Sequence, residues 1–141
     1  MAHHAPTWQP ITRLPLIVSM VDGMLEAAAE QYQTLQAVRS KPHVLDDATV
    51  ARVIQVYTTQ RDDLWLFAEQ ARRWAGEPVT PAQHQEIQRL ISQVARLRTL
   101  LDAILALADA LQAGTIDRVL ALSDEELALE VLLGRRQAPE H

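Results

Sequence analysis

Three successive segments of the chain place seam residues at the same 3-4-3-4-3-4-3 spacing, eight positions in each. The third is the cleanest: Ile87, Leu90, Val94, Leu97, Leu101, Ile104, Ala108 and Leu111. The second reads Val50, Val53, Tyr57, Gln60, Leu64, Phe67, Ala71 and Trp74, and the first Leu14, Ile17, Val21, Met24, Ala28, Gln31, Leu35 and Val38. Such spacing keeps one stripe of a helix turned toward neighbouring helices. The pattern predicts an all-α fold built on three long helices.

Start and stop signals divide the chain accordingly. The first helix is predicted from about Thr12 to about Arg39, with Pro15 tolerated in its first turn. The link Ser40-Lys41-Pro42-His43-Val44-Leu45 ends it, because the residue before proline disfavours the helical region. Asp46 or Asp47 caps the second helix. That helix runs to about Ala75, where Gly76 offers a left-handed C-terminal cap with Pro78 beyond. Thr80 opens the third, with Pro81 at its first position and Gln83 completing a Thr-x-x-Gln capping box. Gly114 is the expected stop. Helices of roughly 26–32 residues span about 40–48 Å, and short links force antiparallel neighbours.

A short segment from Thr115 to Leu122 follows. Ser123-Asp124-Glu125-Glu126 forms a second capping box, opening a last helix to Leu133 that Gly134 closes. The architecture expected is an antiparallel up-down-up bundle with a short C-terminal helical hairpin packed as a partial fourth layer. Residues 1–12 form an N-terminal arm, 13–134 a single bundle domain and 135–141 a disordered tail.

Two regions are more apolar than a solvated helix face should be. The later half of the third helix adds Leu100, Leu105, Leu107 and a set of alanines to its seam, and the C-terminal hairpin would cover them. At the opposite end Leu16, Met20, Trp65 and Leu66 lie off their seams. The hairpin is too short to reach them. Their cover is either the arm, through Trp8 and Ile11, or a second protein, with an arm exchanged between subunits satisfying both. An uncovered aromatic patch usually marks an interface, so Trp8, Leu16, Met20, Trp65 and Leu66 are the candidate contact residues.

Composition narrows the function. Apolar residues make up 48% of the 141, enough for a packed core. With 13 basic and 18 acidic residues the net charge is −5, the wrong sign for a free-standing nucleic-acid binder. Cysteine is absent, which removes disulfides, thiol catalysis and Cys-ligated zinc. No run of about 18 uncharged apolar residues exists to span a membrane. Met1–Pro10 lacks the basic-then-apolar order of a signal peptide, so a cytoplasmic protein is expected.

Candidate chemistry is thin. A di-iron centre needs inward Glu and Glu-x-x-His pairs, and no Glu stands three residues before His43 or His84. His3 and His4 sit on a chain end. His84 and Glu86, two apart, point in different directions. Asp46-Asp47 fits a helix start and Asp62-Asp63 an exposed stripe, not facing catalytic carboxylates. No phosphate loop, dinucleotide fingerprint or serine-nucleophile elbow occurs. Arg89, Arg96, Arg72 and Arg73 form at most a weak basic face. The acidic start of the last helix argues against a helix-turn-helix. No metal or other cofactor is expected.

One polar cluster stands out. Gln31 and Gln60 replace apolar residues in their seams, and Tyr32 and Tyr57 lie beside them. The pattern expects Gln31 to meet the Tyr57 layer with Gln60 one layer away, as a register-setting pair or a small ligand site. The expectation is a non-enzymatic adaptor, scaffold or regulatory subunit, self-associating as a homodimer or binding a protein partner. The alternative is a ligand-binding regulator or small enzyme using Gln31, Tyr32, Tyr57 and Gln60.

Overall fold

The computed structural model describes residues 6–39 and 46–121, with side chains through Gly114. It is an all-helical bundle. A 3₁₀ turn, Ile11–Arg13, leads into α1, Leu14–Ala37. α2 spans Asp47–Ala75 and α3 spans Pro81–Ala121.

The caps follow from side-chain chemistry. Asp46 accepts a hydrogen bond from the Thr49 N–H at 2.7 Å, so it, not Asp47, caps α2. That bond holds the Asp46 carboxyl below the usual carboxylate range. Thr80 and Gln83 form the reciprocal box at the start of α3, with bonds of 2.9 and 3.1 Å. Gly76 does end α2, but in a right-handed conformation, φ −87° and ψ −3°. The expected left-handed cap is absent; the Gly76 N–H donates to the Arg73 carbonyl at 3.2 Å and the Glu77 N–H to the Trp74 carbonyl at 3.0 Å, three-residue steps that tighten the last turn.

α3 corrects a second expectation. It runs unbroken through Gly114 for 41 residues, roughly 60 Å at 1.5 Å per residue. Glycine stops a helix when the chain turns left-handed there; otherwise it only lowers helix propensity, by about 1 kcal/mol relative to alanine. Gly114 keeps an ordinary backbone. Buried Leu111 and the strong helix formers Ala110 and Ala113 carry the helix past it. The chain therefore does not reverse at Gly114. The rest of the expected hairpin, its capping box and the tail lie outside the described residues, as does the link holding His43.

All eight α3 seam residues are buried, and all sixteen seam residues of α1 and α2 are buried or half-buried. The burial is uneven. In α1, Leu14, Val21, Ala28 and Leu35 are buried, while the alternate set Ile17, Met24, Gln31 and Val38 is half-buried. In α2, Val53, Gln60 and Phe67 are likewise half-buried. The cause is topological. α3 is the central helix and packs along both neighbours, whereas the α1 and α2 backbones hardly approach one another. The half-buried sets face the gap that remains.

Charged pairs fix the helix directions. Asp22 of α1 accepts from Arg89 at 2.9 Å and Gln93 at 2.8 Å on α3. Farther along, Arg39 of the α1 end shares a cleft with Leu107 and Gly114, so α1 and α3 run parallel. Arg61 of α2 lies 3.7 Å from Asp102 of α3, consistent with the reversal through the link at 76–80. The arm-bearing end of α1 thus meets the late turns of α2. In the later half of α3, Leu105 and Leu107 are buried and Leu100 half-buried, while Ala106, Ala110 and Ala113 face outward.

Candidate functional site

The site grows from two adjacent stripes on α2. Residues four apart on a helix share a face, so Leu66, Gln70 and Trp74 form one stripe and Trp65, Glu69 and Arg73 the other. The N-terminal arm crosses both. Pro10 is extended, φ −68° and ψ 157°, and a residue before proline favours the same conformation. The arm therefore presents Gln9 with both backbone groups free of a helix or strand.

Gln70 takes both of those groups. The Gln9 N–H donates to Gln70 Oε1 at 2.6 Å, and Gln70 Nε2 donates to the Gln9 carbonyl at 3.3 Å. Trp74 Nε1 donates to the same carbonyl at 3.0 Å. Gln70 is only 6% exposed, the single buried polar side chain among the described residues. An unpaired amide there would be costly, so the arm is what makes this residue tolerable in the core.

The second stripe holds Trp8. Its ring packs edge-on against Trp65, with centroids 6.3 Å apart and planes at 75°. The Arg73 guanidinium sits 4.4 Å from the Trp8 ring centroid, a cation–π contact. Glu69 steadies that guanidinium, accepting from Arg73 Nε at 3.1 Å and also pairing with Arg72. The hydrogen bond from Arg72, with the charge of both arginines, holds the Glu69 carboxyl below its usual range.

The arm does not seal this end. A cleft of about 510 Å³ remains between arm, α1 and α2, lined by Trp8, Ile17, Trp65, Leu66, Phe67 and Gln70 among others. Trp65 stays 50% exposed, Leu16 50% and Met20 45%. Of the expected contact residues, the structure gathers Trp8, Trp65 and Leu66 around the cleft. Leu16 and Met20 lie exposed on the helix the arm leads into. Sequence reasoning missed Gln9, Gln70, Arg73 and the indole N–H of Trp74. The i, i+4 spacing of Leu66, Gln70 and Trp74 was the available signal.

The polar cluster does not assemble into a hydrogen-bonded group. Gln31, Tyr57 and Gln60 are half-buried, but their side chains make no hydrogen bonds with one another. Gln60 Oε1 is buried without a partner, and burial raises the Tyr57 hydroxyl above its usual pKa. Tyr32 turns elsewhere. Its hydroxyl accepts from Gln36 at 2.6 Å, and its ring lines a surface cleft with Leu25, Arg96 and Leu100.

His84 and Glu86 are exposed in the first turns of α3. Among the described residues no group of three His, Asp or Glu side chains is placed to hold a metal ion. No described helix is long and apolar enough to cross a membrane. No protein-family model, curated protein or solved structure matches the chain.

Proposed function

We propose that this chain is a non-enzymatic interaction module that self-associates as a homodimer through the end where the arm meets α2. One observation carries the reading: with the arm docked, Leu16 and Met20 on α1 and Trp65 on α2, in the half of the bundle that bears the arm, each remain about half exposed, as do Val56 and Ile91. Apolar side chains scattered singly on a surface need no explanation, but a group at one end of a bundle does. Aromatic residues and methionine are enriched at protein interfaces, and Trp65 has the size of an anchor residue.

The test is the paired substitution Trp65→Glu with Leu66→Glu. The reading expects the variant to lose assembly while its helical content persists. Unchanged assembly and unchanged stability would sink it.

A second reading, a small-ligand regulator or small enzyme at Gln31, Tyr57 and Gln60, has the unpaired Gln60 Oε1 in its favour. A ligand there would bring a hydrogen-bond donor to that oxygen. The exposed apolar side chains at the arm end are the larger signal, so the interaction reading stands ahead of it.

A further inference from the structure

We propose that the dock on α2 receives the Trp8–Gln9 arm of a second copy of this chain, so that two subunits exchange arms reciprocally. This rests on the self-association reading and deepens it by naming the segment and the residues that recognise it.

The dock's specificity is local to the arm. Gln70 and Trp74 read the backbone N–H and carbonyl of Gln9. Arg73 and Trp65 read the ring of Trp8. Every one of these contacts is supplied by two adjacent residues, and none requires them to belong to the same chain as α2. The cis arm therefore shows what the dock accepts: an extended segment with an indole followed by a residue whose backbone is free on both sides.

The link between arm and bundle suits exchange. It consists of extended Pro10 and one 3₁₀ turn, Ile11–Arg13, closed by the Arg13 N–H to Pro10 carbonyl bond of 2.9 Å. Opening that turn frees the arm by breaking two backbone hydrogen bonds, this one and the Leu14 N–H to Ile11 carbonyl bond at the first residue of α1, and by lifting the half-buried Ile11 off the core. Exchange of an identical element is a low-cost route to a dimer, because the native contacts are kept in number and only change chain.

Exposed apolar surface supplies the drive. In the cis arrangement Leu16 and Met20, on the helix that carries the arm, and Trp65, on the helix that receives it, stay half exposed. When the arm of one subunit enters the other's dock, the carrying α1 is drawn toward the receiving α2. The three exposed side chains then lie where the two subunits meet. The dimer retains both sets of arm contacts and adds burial that the monomer lacks.

Complementation in the full chain tests this. One variant carries a defective arm, Trp8→Ala with Gln9→Pro, and an intact dock. The other carries an intact arm and a defective dock, Gln70→Ala with Arg73→Ala. Exchange predicts that each variant alone is monomeric by light scattering. It predicts that an equimolar mixture recovers a dimer containing one copy of each, because one complete arm–dock pair is rebuilt.

If the wild type dimerises and either variant alone dimerises as well, arms are not exchanged, although the self-association reading survives. If the wild type is monomeric at every concentration, both fall together. Should the dock variant fail to fold, a spin label provides an independent route, since the chain has no cysteine of its own. A nitroxide at Pro6→Cys on an unlabelled copy should broaden the Gln70 side-chain amide of an isotope-labelled copy. Absence of that broadening in a sample shown to be dimeric overturns the exchange.

Discussion

The Gln70 side chain pairs with the Gln9 backbone as a second strand would, accepting from its N–H at 2.6 Å and donating to its carbonyl at 3.3 Å. This contact joins residues 61 apart in sequence. It converts a buried amide, otherwise destabilising, into the recognition element for the N-terminal arm. Gln70→Ala should cost about 1–3 kcal/mol and release the arm. Hydrogen exchange at the Gln9 amide is the direct readout. Protection that persists in the variant would show that something other than Gln70 holds the arm.

Gln60 is the opposite case, a buried amide oxygen without a partner. Gln60→Met removes that oxygen at similar volume and should raise stability by about 1 kcal/mol. Gln31 and Gln60 form no hydrogen bond, so a double-mutant cycle between Gln31→Met and Gln60→Met should give coupling below about 0.5 kcal/mol. Denaturant melts of the four proteins measure it. A larger coupling would restore the two residues as a working pair.

Gly114 lies inside α3 with an ordinary backbone and nothing near the position a Cβ would occupy. Gly114→Ala should therefore stabilise the protein by up to about 1 kcal/mol. A glycine in a left-handed cap would give the reverse sign, so the melting temperature of this one variant distinguishes a continuous helix from a reversal.

Asp22 ties α1 to α3, and its carboxyl is held below the ordinary range, first by the hydrogen bond from Arg89 and then by that from Gln93. The unfolded chain takes up this proton at a higher pH than the folded protein does. The stabilisation is therefore whole above the unfolded value of about 3.9 and is lost as pH falls through the lower folded value. Asp22→Asn should flatten the pH dependence of stability in that acid window and leave its shape near neutrality unchanged. Parallel stability curves for variant and wild type below pH about 4 would contradict the assignment.

Much of the architecture was legible because it depends on repeated, local signals. Every seam position is at least half-buried, and the Thr80–Gln83 box and the Asp46 cap form as their side chains dictate. What escaped the sequence depended on long-range geometry. The spacing of Gln31 and Gln60 says that each faces inward, but not that α1 and α2 stand apart with α3 between them. That separation leaves the two amides unpaired with each other. Gly114 was misread because a glycine's local preference was weighed without the helix formers around it. The dock was half legible: Trp8, Trp65 and Leu66 stood out as misplaced apolar residues. Gln70 looked like an ordinary polar position until the arm lay across it.

The account stands most directly on solution mass. Light scattering of the full chain across a wide concentration range, with tryptophan emission recorded alongside, should show a rise from one chain mass to twice that value. A blue shift should accompany it as Trp65 leaves water. A single chain mass at every concentration, with unshifted emission, would contradict self-association through the Leu16, Met20 and Trp65 end.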